Sequence, residues 1–155
     1  MCSSDLAGVS PRPELRYPAA MTTAAGPSDL ITAHAEAWNA GDVDTIAEAM
    51  GLPQMLAEAH GTTFIEDDGQ LVVWIEARLA AWRERGVATV TAVVDRVEAL
   101  PDDAARVTSH WRLIDASGVD LISFVAVDTL AADEGDWYFV VTDTAGEDAA
   151  WAGTN

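Results

Sequence analysis

Lysine is absent from this chain of 155 residues: its basic side chains are eight arginines, set against 26 acids. The formal net charge is −18 and the isoelectric point lies near 4.1. A field of that sign repels phosphate backbones and anionic lipid surfaces, which argues against nucleic acid and membranes as partners. Cysteine is nearly absent too. Cys2 stands alone, so no internal disulfide and no cysteine metal cluster can form, in keeping with a reducing cytoplasm. No apolar run approaches the roughly 20 residues of a membrane helix. Met1 to Tyr17 lacks the continuous apolar stretch of a secretory signal, and the expected location is cytoplasmic. Glycine-rich phosphate loops, Gly-x-Ser-x-Gly elbows and His-Glu-x-x-His motifs are all missing. Neither a cofactor nor a metal is expected.

Half of the residues are hydrophobic, enough for one domain with a substantial core. Residues 1–26, with Pro11, Pro13 and Pro18 among Ser, Ala and Gly, carry no sustained periodicity and read as a disordered tail. The domain is expected over residues 27–145, and 146–155 as a flexible C-terminal tail. Ser28 is the expected cap of a first helix over about Asp29 to Ala40. Ile31, His34, Ala35 and Trp38 fall on one face of that helix. Gly41 can take the positive φ that ends it, and Asp42 can cap a second helix over Val43 to Met50. After the breaker Gly51-Leu52-Pro53, Met55 to Glu58 and Thr62 to Glu66 read as short extended pieces.

A third helix is marked from Gln70 to Arg85 by Leu71, Ile75, Leu79 and Trp82 at near-helical spacing. Four strand-like runs follow: Ala88 to Ala99, Arg106 to Asp115, Asp120 to Leu130 and Trp137 to Asp143. Turn compositions such as Ala116-Ser117-Gly118 separate them at hairpin spacing. Helices first and a meander afterwards give an α+β fold. Leu121 to Val127 is apolar at nearly every position, which suits a strand covered on both faces. Helices cover one face, and a second subunit is the simplest cover for the other, so a homodimer through the sheet faces is expected.

The elbow Ala37-Trp38-Asn39-Ala40-Gly41-Asp42-Val43-Asp44, with the breaker, third helix and strands behind it, resembles the NTF2-like (SnoaL-like, ketosteroid-isomerase-like) family over roughly Pro27 to Thr144. The resemblance implies a cone, with three N-terminal helices packed on the concave face of a strongly curved, mainly antiparallel sheet around a pocket. It also implies roles for residues. The ketosteroid isomerases carry Tyr-x-x-x-x-Asn-x-Gly-Asp, then about a dozen residues on a catalytic Asp before a Pro. With Asn39-Ala40-Gly41-Asp42 in register, His34 stands where that family has its oxyanion-binding Tyr. Glu58 stands where it has its general base, followed here by Ala59. An imidazole N–H can donate to an oxyanion, and a carboxylate in an apolar pocket can take a proton from carbon. For the second oxyanion donor the candidates are Ser123 and Asp120.

Strand alternation adds Ser109, Trp111, Leu121 and Ser123 to Trp38 and Ile31 as pocket-lining candidates, if the odd positions of both strands point inward. His60 beside Gly61 reads as a turn residue, and His110, with Thr108 and Arg112, as part of an outer polar face. Two functional classes stand side by side. One is a dimeric binder of a small hydrophobic molecule. The other is a cofactor-independent isomerase, cyclase or dehydratase with Glu58 as base and His34 as donor.

Overall fold

A computed structural model describes residues 26–154, so the N-terminal tail expected over 1–26 lies outside the described residues but for Gly26. Helix α1 (Pro27–Ala40) starts two residues earlier than its expected first residue, because Pro27 itself occupies the first turn, where its missing N–H is not needed. Gly41 closes α1 with φ 68°, a conformation open to glycine at little cost. Asp42 then caps α2 (Val43–Glu48) by accepting from Thr45 N.

Met50, expected to end the second helix, begins strand β1 (Met50–Glu58), and the Gly-Leu-Pro breaker lies inside that strand. The strand tolerates Pro53 because its pairing with the last strand skips a stretch, resuming at Met55 after Met50. Gln54, wholly buried, mends the gap. Its amide donates to Gly51 O at 2.8 Å and Phe139 O at 2.9 Å, and its carbonyl accepts from Thr142 at 2.9 Å. Gly51 has no room for a side chain, since a Cβ would stand 2.6 Å from the Tyr138 ring.

Strand β2 (Gly61–Ile65) pairs back on β1, and α3 (Asp68–Glu84) follows, capped by Asp67, with Leu71, Ile75, Leu79 and Trp82 buried as their spacing predicts. The long strands β3 (Val87–Leu100), β4 (Ala104–Asp115), β5 (Asp120–Asp133) and β6 (Asp136–Asp143) complete one six-stranded sheet in the order β2-β1-β6-β5-β4-β3. All neighbours are antiparallel except β1 and β6. The fold is therefore the α+β cone expected, with one helix more. The segment expected as a flexible C-terminal tail contains α4 (Ala145–Ala152). It packs on β5 just where β6 has turned away, since β5–β6 pairing starts only at Thr129. Asp143 accepts from the exposed edge amide of Val127 at 2.9 Å and from Ala145 N at 3.0 Å, which ties the start of α4 to that edge.

Outside the cone, Val93 pairs across β4 to His110 and on to Val125, with Thr108 and Val127 in the next row. Val93, Val125 and Val127 are 64, 48 and 40% exposed. Among the described residues no helix is long and apolar enough to cross a membrane.

Candidate functional site

His34 sits on the buried face of α1, between Ile31 and Trp38, as the helical spacing predicts. Its Nε2 accepts from the Trp38 indole at 3.0 Å, and its ring lies 4.4 Å from that of Phe139. Burial pushes its pKa down to about 3, so the imidazole is neutral. With Nε2 accepting, the proton belongs to Nδ1. That nitrogen is buried and has no hydrogen-bond partner among the described residues.

Asp128 approaches from the opposite wall, on the inner face of β5. Burial raises its carboxyl to about 7, with neighbouring Asp143 adding to the shift against the pull of an N–H bond. That bond is Asp143 N to Oδ1 at 2.8 Å. In the neutral form the proton falls to the other oxygen, so Asp128 can donate or accept there around neutral pH.

Both residues line a cavity of about 50 Å³, with Trp38 and Trp82 from the helices and Trp111 and Phe124 from the sheet. The cavity is partly open to solvent, so a ligand can extend beyond the enclosed space. Trp38 and Trp82 rings lie 5.1 Å apart, and Trp111 stacks parallel to Phe124 at 6.2 Å. The indole N–H groups of Trp38, Trp82 and Trp111 are spent on His34, Glu147 and Ser109 respectively. Aromatic rings thus make up most of the wall, and among the described residues His34 Nδ1 is the one fully buried side-chain polar atom there without a partner. Arg78 and Glu147 close one side as an ion pair. Glu147 also accepts from the Trp82 indole at 2.8 Å and the Trp151 indole at 2.9 Å.

Of the residues marked in the sequence, the structure brings His34, Trp38 and Trp111 together at this cavity, with Ser109 buried directly behind Trp111. Ile31 packs in the core and does not line it. Leu121 and Ser123 face the other way. Ser109 pairs with Ala126 and Trp111 with Phe124, so the even-numbered residues of β5 share the inner face with the odd-numbered ones of β4. Asp120 is also outside, paired with Arg112 at 2.7 Å. Glu58 is not at the cavity. It ends β1 half-exposed, accepting from Thr63 at 2.6 Å across the β1–β2 hairpin. The gapless spacing from the elbow assumed a short extended piece, whereas β1 runs from Met50 and carries Glu58 past the rim. His60 lies exposed in the hairpin turn and His110 on the outer face. Sequence reasoning missed Asp128 and Glu147. Asp128 carries the one charge in the buried row Ile122, Phe124, Ala126, Asp128, Leu130, which becomes visible only once the strand's parity is known.

A family model described as "NTF2-like protein (DUF6841)" matches residues 27–147. No curated protein matches the sequence. Among solved structures, Aln2 from a Streptomyces species aligns with a TM-score of 0.63 at 16% identity, covering 89% of this chain and 99% of that one. An NTF2-like protein with a cystatin-like fold from Novosphingobium aromaticivorans gives 0.59 at 17% identity, over 81% and 84% of the two chains. An NTF2-like protein of unknown function from Shewanella oneidensis gives 0.52 at 19% identity, over 74% and 91%. At such identities the likeness concerns the fold, which serves unrelated functions.

Proposed function

The chain belongs to the NTF2-like family whose model spans residues 27–147, and on that premise we propose that it is a cytoplasmic homodimer that binds a small, largely apolar ring compound in the His34–Asp128 cavity. What carries the reading is the buried His34 Nδ1–H without a partner among the described residues, set in a wall of aromatic rings. A buried polar group left unpaired costs about 1–3 kcal/mol, and a ligand acceptor oxygen entering the cavity recovers it.

Acetophenone and ethylbenzene differ little in shape but only the first carries an acceptor. Followed by NMR shifts of the pocket indoles, acetophenone should bind at least about fivefold more tightly, and His34→Phe should erase the difference. Equal binding of the two probes to the wild type, or no binding of either, would count against the reading. The dimer rests on the exposed Val93, Val125 and Val127 around His110 on the outer face of the sheet. Sedimentation should return the mass of two chains, and a single-chain mass at micromolar concentration would remove that part.

One observation favours the second reading, a proton-transferring isomerase, cyclase or dehydratase. Asp128, held near the pKa a general base needs, shares the cavity with a neutral N–H donor. In that reading Asp128 takes the role the resemblance gave to Glu58.

A further inference from the structure

Helix α4 is attached in an unusual way: its only buried residue is a carboxylate, Glu147. Ala150 and Trp151 are partly buried, Arg85 lies 4.3 Å over the Trp151 ring, and Asp148 reaches Ala59 N only at 3.5 Å. The strong bonds are those of Glu147. Oε1 accepts from Arg78 Nε at 3.1 Å and from its Nη2, and Oε2 accepts from the Trp82 indole at 2.8 Å. These donors belong to α3, four residues apart and hence on one face. An arginine edge and an indole N–H, aimed at the two oxygens of one carboxylate, form a receptor for that group.

We infer that Arg78 and Trp82 are a carboxylate subsite of the cavity, occupied in cis by Glu147, and that an aromatic carboxylate enters by displacing Glu147 and swinging α4 outward. The inference rests on the pocket reading above and adds the charge of the ligand. Arg78 is the cation on the cavity wall, and its guanidinium lies 5.1 Å over the Trp74 ring, facing the aromatic interior. Exchange of one carboxylate for another leaves Arg78 and Trp82 with the same partners, while the released Glu147 is rehydrated. The burial of the ligand's ring then decides the balance. Undocking α4 uncovers the partly buried Ala150 and Trp151, an exposure that the burial of the ligand's ring has to offset. Its hinge is the stretch at Asp143 and Thr144, where Thr144 N stays bonded to Ala57 O at 2.9 Å. The cavity of about 50 Å³, together with the space Glu147 vacates, suits a single ring.

Benzoate and benzamide, equal in shape and unequal in charge, test this by calorimetry on the full chain. Glu147→Gln should bind benzoate at least about tenfold more tightly than the wild type, the worth of one charge-assisted pair. Benzamide should change little, and adding Arg78→Met to Glu147→Gln should abolish the gain. Gly146→Ala gives a second route, because a Cβ there collides with Val125 O and lifts α4 while keeping Glu147. It should also tighten benzoate. In the wild type, saturating benzoate should speed hydrogen exchange in α4. No gain for benzoate in either variant overturns the inference. So does an equal gain for benzamide, which would make α4 a plug without a charge requirement. If benzamide and acetophenone bind no variant at all, the pocket reading itself fails, a result distinct from both.

Discussion

Asp128→Asn should make stability rise more steeply with pH between about pH 5 and pH 8. The Asp128 carboxyl titrates near 7 when folded, against an ordinary 3.8. Because the folded value is raised, its contribution to stability is complete below about pH 3.8 and is lost as pH rises through 7. Between pH 5 and pH 8 that loss amounts to roughly 2–3 kcal/mol. His34 works in the opposite sense. Its folded pKa is lowered to about 3, so its contribution is complete above the ordinary 6.5 and is lost as pH falls toward 3. The two buried groups offset one another in the wild type. Asparagine stays neutral, which removes one side. In urea unfolding, the gain in stability from pH 5 to pH 8 should be larger for Asp128→Asn than for the wild type by that amount. Identical pH profiles would mean that Asp128 ionises as freely in the fold as outside it.

Trp38→Ala should be strongly destabilising, at about 3–5 kcal/mol. Trp38 is 6% exposed and packs against Trp82 at 5.1 Å and Trp74 at 6.0 Å. Its loss also strips the partner from His34 Nε2, leaving both nitrogens of a buried imidazole unpaired. Trp38→Phe separates the two effects. It keeps most of the ring volume and should cost about 1–2 kcal/mol. Such losses are large beside the roughly 5–15 kcal/mol of a typical domain, and a chevron or melting curve measures them directly. Similar midpoints for Trp38→Ala and the wild type would contradict the packing described.

What could be read from the sequence follows from periodicity. The first helix, the Gly41 elbow and the α3 stripe all advertise themselves, because one side of each faces the core and the other faces water. The same holds for β4, where Ser109 and Trp111 alternate with Thr108 and Arg112. Strand β5 carries no such signal: Leu121 to Val127 is apolar at every position but Ser123, with Val125 and Val127 exposed on its outer face. Parity there depends on a partner strand, and Asp128 is hidden by it. Helix α4 is hidden for another reason. Ala145–Ala152 is short and rich in alanine, and it is held by a carboxylate in place of an apolar stripe. Bonds between one Glu and an Arg and a Trp some 65–69 residues away leave no local pattern to find.

Gln54 ties Gly51, in its own strand, to Phe139 and Thr142, which lie 85 and 88 residues further on. The strand made first among the six must therefore wait for the one made last. During synthesis the β1–β2 hairpin has no sheet to join until β6 has emerged, and Gln54 has no partner in β6 to satisfy its amide. Closure of so long a loop comes before any reward from the contacts it brings, which predicts late docking of β1 and slow folding for a chain of this size. The antiparallel β3–β4–β5 meander, linked by short turns, needs no such wait. The topology thus predicts assembly of the cone from its far wall inward, with the side carrying β1 and β2 exposed longest to other chains.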